Sequence, residues 1–204
     1  MITSENIKAN VIDIRSDNPQ KTDRFLVDSN VWFWIAYSKA SLNCKNYQST
    51  YYPQYLCEAI ATEANTHYFS LNVAELAHTI EKSERELFKK SNGVEIEVKD
   101  FRHIELERKK VISEVRNAHY ILNQAGVELP VDIPVGKDHD LINDIAEYLL
   151  DGYDALILEA MKAKGVYSIL TDDSDYACVE DITVFTANRN VITAAKGAGK
   201  LIVR

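Results

Sequence analysis

Long apolar runs are missing from this chain. No stretch of about 18 apolar residues occurs, so a membrane-spanning helix is not expected. Ile2 to Pro19 is polar, with Glu, Lys, Asp and Arg scattered through it, so a signal peptide is not expected either. Cysteine is scarce. Cys44, Cys57 and Cys178 are odd in number and form no CxxC pair, which argues against a disulfide framework or a zinc cage. Free thiols in a reducing compartment fit, and a cytoplasmic location is expected. Positive charge is not in excess: 23 Lys and Arg stand against 31 Asp and Glu, for a net charge of −8. That argues against a protein that coats nucleic acid through a basic face. It leaves a nuclease open, because carboxylates that hold cations contribute to a negative count and a bound metal reverses the local field. No internal repeat, low-complexity tract or interdomain linker is visible.

What is present is ordinary globular material, 46% hydrophobic and 26% charged. The 204 residues read as one domain, with a polar segment at 1–23 and a helical insertion at about 90–150. Val11 to Ile14 is a candidate short strand. Arg24 to Val27 is a compact apolar run, the pattern of a strand buried on both faces. Asn30 to Ala40, dense in aromatics, suits a buried helix. Residues 41–53 read as loop and 54–66 as helix. Ser70 is a plausible N-cap for a helix running to about Lys90, with Asn92-Gly93 as its stop. Residues 100–124 read as the longest helix, closed by Gly126 and Pro130. Residues 131–137 read as loop and 138–150 as helix. After that the alternation is strict: helix 152–164 ending at Gly165, strand 166–171, a short helix around 175–180, strand 182–185, helix 189–196 and strand 201–203. Such alternation predicts a three-layer α/β/α sandwich around a mostly parallel sheet.

Two of the predicted strands run into acids. Arg24–Val27 ends at Asp28, and 166–171 ends at Asp172, Asp173 and Asp175. Ligands of open α/β sheets bind outside the carboxyl ends of the strands, near a switch in strand order, so both groups fall where a site is expected. Asp154 shares a helical face with Leu150, Ile157, Leu158 and Met161. A carboxylate there needs a partner, either a cap or a cation. Glu75 points away from the stripe of Val73, Leu76, Ala77, Ile80 and Leu87, which suits solvent or a cleft. Carboxylates that converge without a basic partner raise one another's pKa, and hard divalent cations relieve the repulsion. No Ser/His/Asp arrangement is visible.

These residues resemble a family. FLVDSNVW at 25–32 resembles the opening strand of PIN domains, and NVAELAHTIE at 72–81 the segment that holds their glutamate. DALILEAMKAKG at 154–165 resembles the helix that begins with their third acid. ILTDDSDY at 169–176 resembles their last acidic motif, and TVFTANRNVI at 183–192 the strand that follows. The resemblance covers both ends of the chain, while about 90–150 matches only as helix. It implies a ribonuclease that uses Mg²⁺ or Mn²⁺. Asp28, Glu75 and Asp154 would be core ligands and Asp173 the fourth acid, with Asp172 and Asp175 as substitutes. Asn30 and Thr171 would support the site. The resemblance also implies an RNA substrate, and for toxin members an antitoxin partner and a homodimer. The long segment between Glu75 and Asp154 departs from the compact toxins.

Other signals carry less. Glu75-Leu76-Ala77-His78 is an ExxH without the second copy that a di-iron site needs. Gly197-Ala198-Gly199-Lys200 lacks the first Gly and the final Ser or Thr of a P-loop. Asp28-Ser29-Asn30 is similar to the opening of haloacid-dehalogenase-type phosphatases, with Asn30 where that class has a second Asp. A catalytically inactive PIN-like scaffold is a further alternative. Trp32, Phe33, Trp34 and Tyr37 suit the core better than a base-stacking surface. Lys89-Lys90 and Arg108-Lys109-Lys110 lie on charged helical faces. With Arg189, Lys196, Lys200 and Arg204 they are the candidates for phosphate contacts.

Overall fold

A computed structural model of the chain describes residues 2–131, 138–148 and 150–204. Seven parallel strands among them form one sheet in the order β4-β3-β2-β5-β6-β1-β7. They are β1 (Asn10–Asp13), β2 (Arg24–Val27), β3 (Asn65–Phe69), β4 (Val127–Leu129), β5 (Ser168–Leu170), β6 (Thr183–Thr186) and β7 (Leu201–Ile202). The helices are α1 (Ser29–Ala36), α2 (Asn46–Ala61), α3 (Ser70–Asn92), α4 (Val98–His103), α5 (Glu105–Ala125), α6 (Asp138–Tyr148), α7 (Gly152–Ala163) and α8 (Arg189–Ala198). The expected three-layer α/β/α sandwich is what the chain forms.

Strand side chains alternate between the two faces, as the pleat requires. Phe25 and Val27 of β2 join Ile12, Leu170 and Phe185 in a core closed by α1, α2, α3 and α5. Leu26, Phe69, Ile169 and Val184 point the other way, onto Ala155, Ile157, Leu158 and Met161 of α7. Val11 meets Val191 and Ala195 of α8 on that side. Trp32 is fully buried, edge-on to Tyr68, and Phe33 and Tyr37 are buried too, so these aromatics are core.

Several sequence expectations need correction. The segment 41–53 is not a loop throughout, because α2 starts at Asn46 and carries Pro53 inside it. Tyr52 and Tyr55, buried under that helix, outweigh its poor local propensity. Residues 65 and 66, expected to end a helix, instead open β3. The long helix expected at 100–124 breaks at Ile104, whose extended backbone separates α4 from α5. The middle region is no appendage: Ala118 and Leu122 of α5 sit in the main core, and β4 follows α5 onto the sheet edge. The short strand expected at Val11 to Ile14 is present as β1, and it lies inside the sheet between β6 and β7. The loop expected at 131–137 lies, apart from Val131, outside the described residues. Gly93 and Gly165 end α3 and α7 at φ +63° and +66°, a left-handed backbone that favours glycine.

Candidate functional site

The strand order reverses beside β2. From β2 the sheet grows through β3 and β4 in one direction and through β5 and β6 in the other. The carboxyl ends of β2 and β5 therefore flank the switch point, where α/β sheets place their ligands. Asp28 follows β2 and Thr171 follows β5, and the Asp28 amide donates to Leu170 O at 3.1 Å to tie the ends together.

Asp28 is the N-cap of α1 and only 6% exposed. Its Oδ1 accepts from the Ser29 amide at 2.6 Å. Its Oδ2 accepts from Asn30 Nδ2 at 2.6 Å and from Thr171 Oγ1 at 2.5 Å. Asn30 and Thr171 thus both hydrogen-bond to Asp28. Asn30 Oδ1, by contrast, is buried without a partner.

The other acids arrive from separate elements. Glu75, on the second turn of α3, accepts from Ser29 Oγ at 2.7 Å. Ser29 is in turn held by Asn72, which is fully buried and also caps the Phe69 amide. Asp154 enters from the first turn of α7 and accepts from the buried Tyr176 hydroxyl at 3.0 Å. Asp173 follows β5, its amide donating to Thr171 Oγ1 at 2.9 Å and its Oδ1 accepting from the Asp175 amide at 2.9 Å.

Electrostatics link these groups. Burial pushes the Asp28 carboxyl up to about 8; the Thr171 hydrogen bond opposes the rise, and the charges of Glu75, Asp154 and Asp173 add to it. Burial, then the Asp151 charge, pushes Asp154 up to about 7, with Asp173 and Glu75 adding and Tyr176 opposing. Burial likewise raises Asp173. No cation is among the leading influences on any of the three. As the side chains are placed, no three His, Cys, Asp or Glu residues among the described ones are grouped to hold a metal ion.

Not every candidate joins the cluster. Asp172 turns to α2, where Tyr47, Gln48 and Tyr52 donate to its carboxylate at 2.8, 2.6 and 2.7 Å. It is a strut between β5 and α2. Asp175 is exposed. Arg189 opens α8 just after β6, on the carboxyl side of the sheet. Lys196 and Lys200 do not share that edge. A parallel connection returns the chain to the amino end of the sheet, and Lys200 directly precedes β7. Arg204 is occupied by Asp17 and Asp23, and Lys89, Arg108, Lys109 and Lys110 all pair with glutamates.

Sequence reading missed Ser29, Asn72 and Tyr176 as supports. Asp151 caps α7, accepting from the Tyr153 and Asp154 amides, and its charge also reaches Asp154 and Asp173. No family model and no curated protein matches this chain. No helix among the described residues is long and apolar enough to cross a membrane.

Proposed function

We propose that the chain is a divalent-metal-dependent ribonuclease of the PIN type, with Asp28, Glu75, Asp154 and Asp173 holding Mg²⁺ or Mn²⁺. One observation carries this reading: Asp28, Glu75, Asp154 and Asp173 lie about the switch point, near enough for the charges of the other three to act on Asp28, with no cation as a leading influence. Such a cluster is costly without a counter-charge, and oxygen-only donors select hard cations. Asn30 Oδ1, an orphaned acceptor beside Asp28, is the kind of group that a hydrated cation satisfies.

When bound, the ion supplies an activated water and stabilises the leaving oxygen of a phosphodiester. The chain's own part is positioning. Thr171 and Asn30 orient Asp28, Ser29 orients Glu75, Tyr176 orients Asp154, and the Asp175 amide orients Asp173. Loading the site requires side-chain rotation, since no three of these acids are grouped around one point. RNA as the substrate follows from the sequence resemblance. A phosphatase with Asp28 as nucleophile is less well supported, because both oxygens of this buried carboxylate already accept hydrogen bonds.

The test is cleavage of labelled single-stranded RNA with Mn²⁺, with EDTA, and by Asp154→Asn. Cleavage that needs both the metal and Asp154 is expected. Cleavage that survives EDTA or the substitution would overturn the proposal. Absence of both cleavage and calorimetric Mn²⁺ binding would point to a scaffold.

A further inference from the structure

We infer that the cleft beside the acid cluster is a slot for one unpaired nucleobase, with the Tyr153 ring as its stacking platform; this rests on the ribonuclease reading. The cleft, of about 420 Å³, is lined by Ala74, Glu75, His78, Asp151 and Tyr153. That volume lies in the range of pockets that enclose a small planar ligand. Tyr153 is 62% exposed; Tyr120 and Tyr167 are exposed too, but of these three it is the one that borders the cleft. Its backbone is anchored, because the Asp151 carboxylate accepts its amide at 2.8 Å in the first turn of α7. His78 lies three residues after Glu75 on α3, so the two share a helical face and a second planar ring borders the same cleft.

The chemistry of the walls selects the occupant. Two ring faces suit a flat aromatic group. The carboxylates of Glu75 and Asp151 repel a phosphate but accept the N–H groups on a base edge. A base already paired in a duplex cannot enter, so the substrate is single-stranded, with one base turned out of its stack. Glu75 belongs to both the cleft and the acid cluster, and the Asp151 charge reaches Asp154 and Asp173. A base seated here therefore places a neighbouring phosphodiester at the carboxylates.

The experiment uses full-length Asp154→Asn protein in Mg²⁺, with single-stranded RNAs that carry 2-aminopurine at successive positions. Quenching at one position is expected. Adding Tyr153→Ala should abolish it and weaken binding about 5- to 100-fold, while Tyr153→Phe should retain both. RNA binding by anisotropy with no position-dependent quenching, or quenching indifferent to Tyr153→Ala, would overturn the slot and leave the nuclease reading standing if the unsubstituted protein cleaves RNA. Failure of RNA binding together with failure of cleavage would sink both.

Discussion

Thr171 Oγ1 donates to Asp28 Oδ2 at 2.5 Å and accepts from the Asp173 amide at 2.9 Å, so one hydroxyl joins the first acid of the cluster to the last. Thr171 is fully buried between strands. Thr171→Val keeps the shape and removes these hydrogen bonds, along with the longer one accepted from Asn30 Nδ2 at 3.4 Å. On the proposed ribonuclease reading, the expected result is a loss of about 10- to 100-fold in RNA cleavage, the usual effect of removing a group that orients a metal ligand. Stability should fall by about 1–3 kcal/mol, since a buried acceptor loses its donor. Steady-state kinetics beside urea unfolding would check both, and unchanged cleavage would remove Thr171 from the supporting set.

Asp28 makes the metal-free fold sensitive to pH. Its folded carboxyl titrates at about 8, far above its ordinary value of 3.8. Its contribution is therefore fully present below pH 3.8 and is lost as pH rises toward 8. Asp28→Asn removes that loss. Turning the Asn30 amide, whose Oδ1 lacks a partner, gives the new side-chain N–H an acceptor. In EDTA the variant should exceed the parent protein by on the order of 2 kcal/mol at pH 8, with the gap closing toward pH 4. Chemical denaturation at several pH values measures it. A gap that widened on acidification would contradict the assignment.

His67, in the middle of β3, acts in the other direction. Burial, then the nearby Arg24 guanidinium, lowers its pKa from the ordinary 6.5. The folded form thus resists protonation, and stability present above pH 6.5 is lost as pH falls below it. His67→Gln should flatten that fall. Melting temperatures of both proteins at pH 7.5 and pH 5 would show it, and parallel losses would refute it.

The guanidinium of Arg204 holds two buried carboxylates, Asp17 at 2.9 Å and Asp23 at 2.5 Å. Arg204→Ala strands both, and a loss of about 3 kcal/mol is expected. RNA cleavage at a temperature where the variant stays folded should be unchanged, because Arg204 is occupied by structure. A selective rise in KM would return it to the phosphate contacts.

The legible parts of the chain were those where local pattern and tertiary demand agree. The strands β2 and β5 are apolar runs that end in acids, and α7 carries its own stop at Gly165. By contrast β3, with Asn65, Thr66 and His67, has no strand pattern of its own; its pairing with β2 and β4 makes it a strand. Likewise α2 begins in a stretch of Asn, Ser and Thr that reads as loop, and burial of its tyrosines decides the matter. Within the site, Asp28, Glu75, Asp154 and Asp173 could be nominated from sequence. The choice of Asp173 over Asp172 could not be made locally, because it depends on donors from α2 far along the chain. The Ser29, Asn72 and Glu75 relay joins α1 to α3 and leaves no mark on either segment alone.

The strand order governs when the acid cluster comes into being. A nascent chain that has emerged through α6 holds β2, β3 and β4, yet β1 pairs only with β6 and β7, both still unmade. On that chain Asp28 sits at an open sheet edge, and neither Asp154 nor Asp173 has emerged. Pairing of β5 with β2 closes that edge and brings Asp173 to Asp28 through Thr171. Until α7 and β5 are made, the chain carries only Asp28 and Glu75 of the four acids, so the cluster matures only at the end of synthesis.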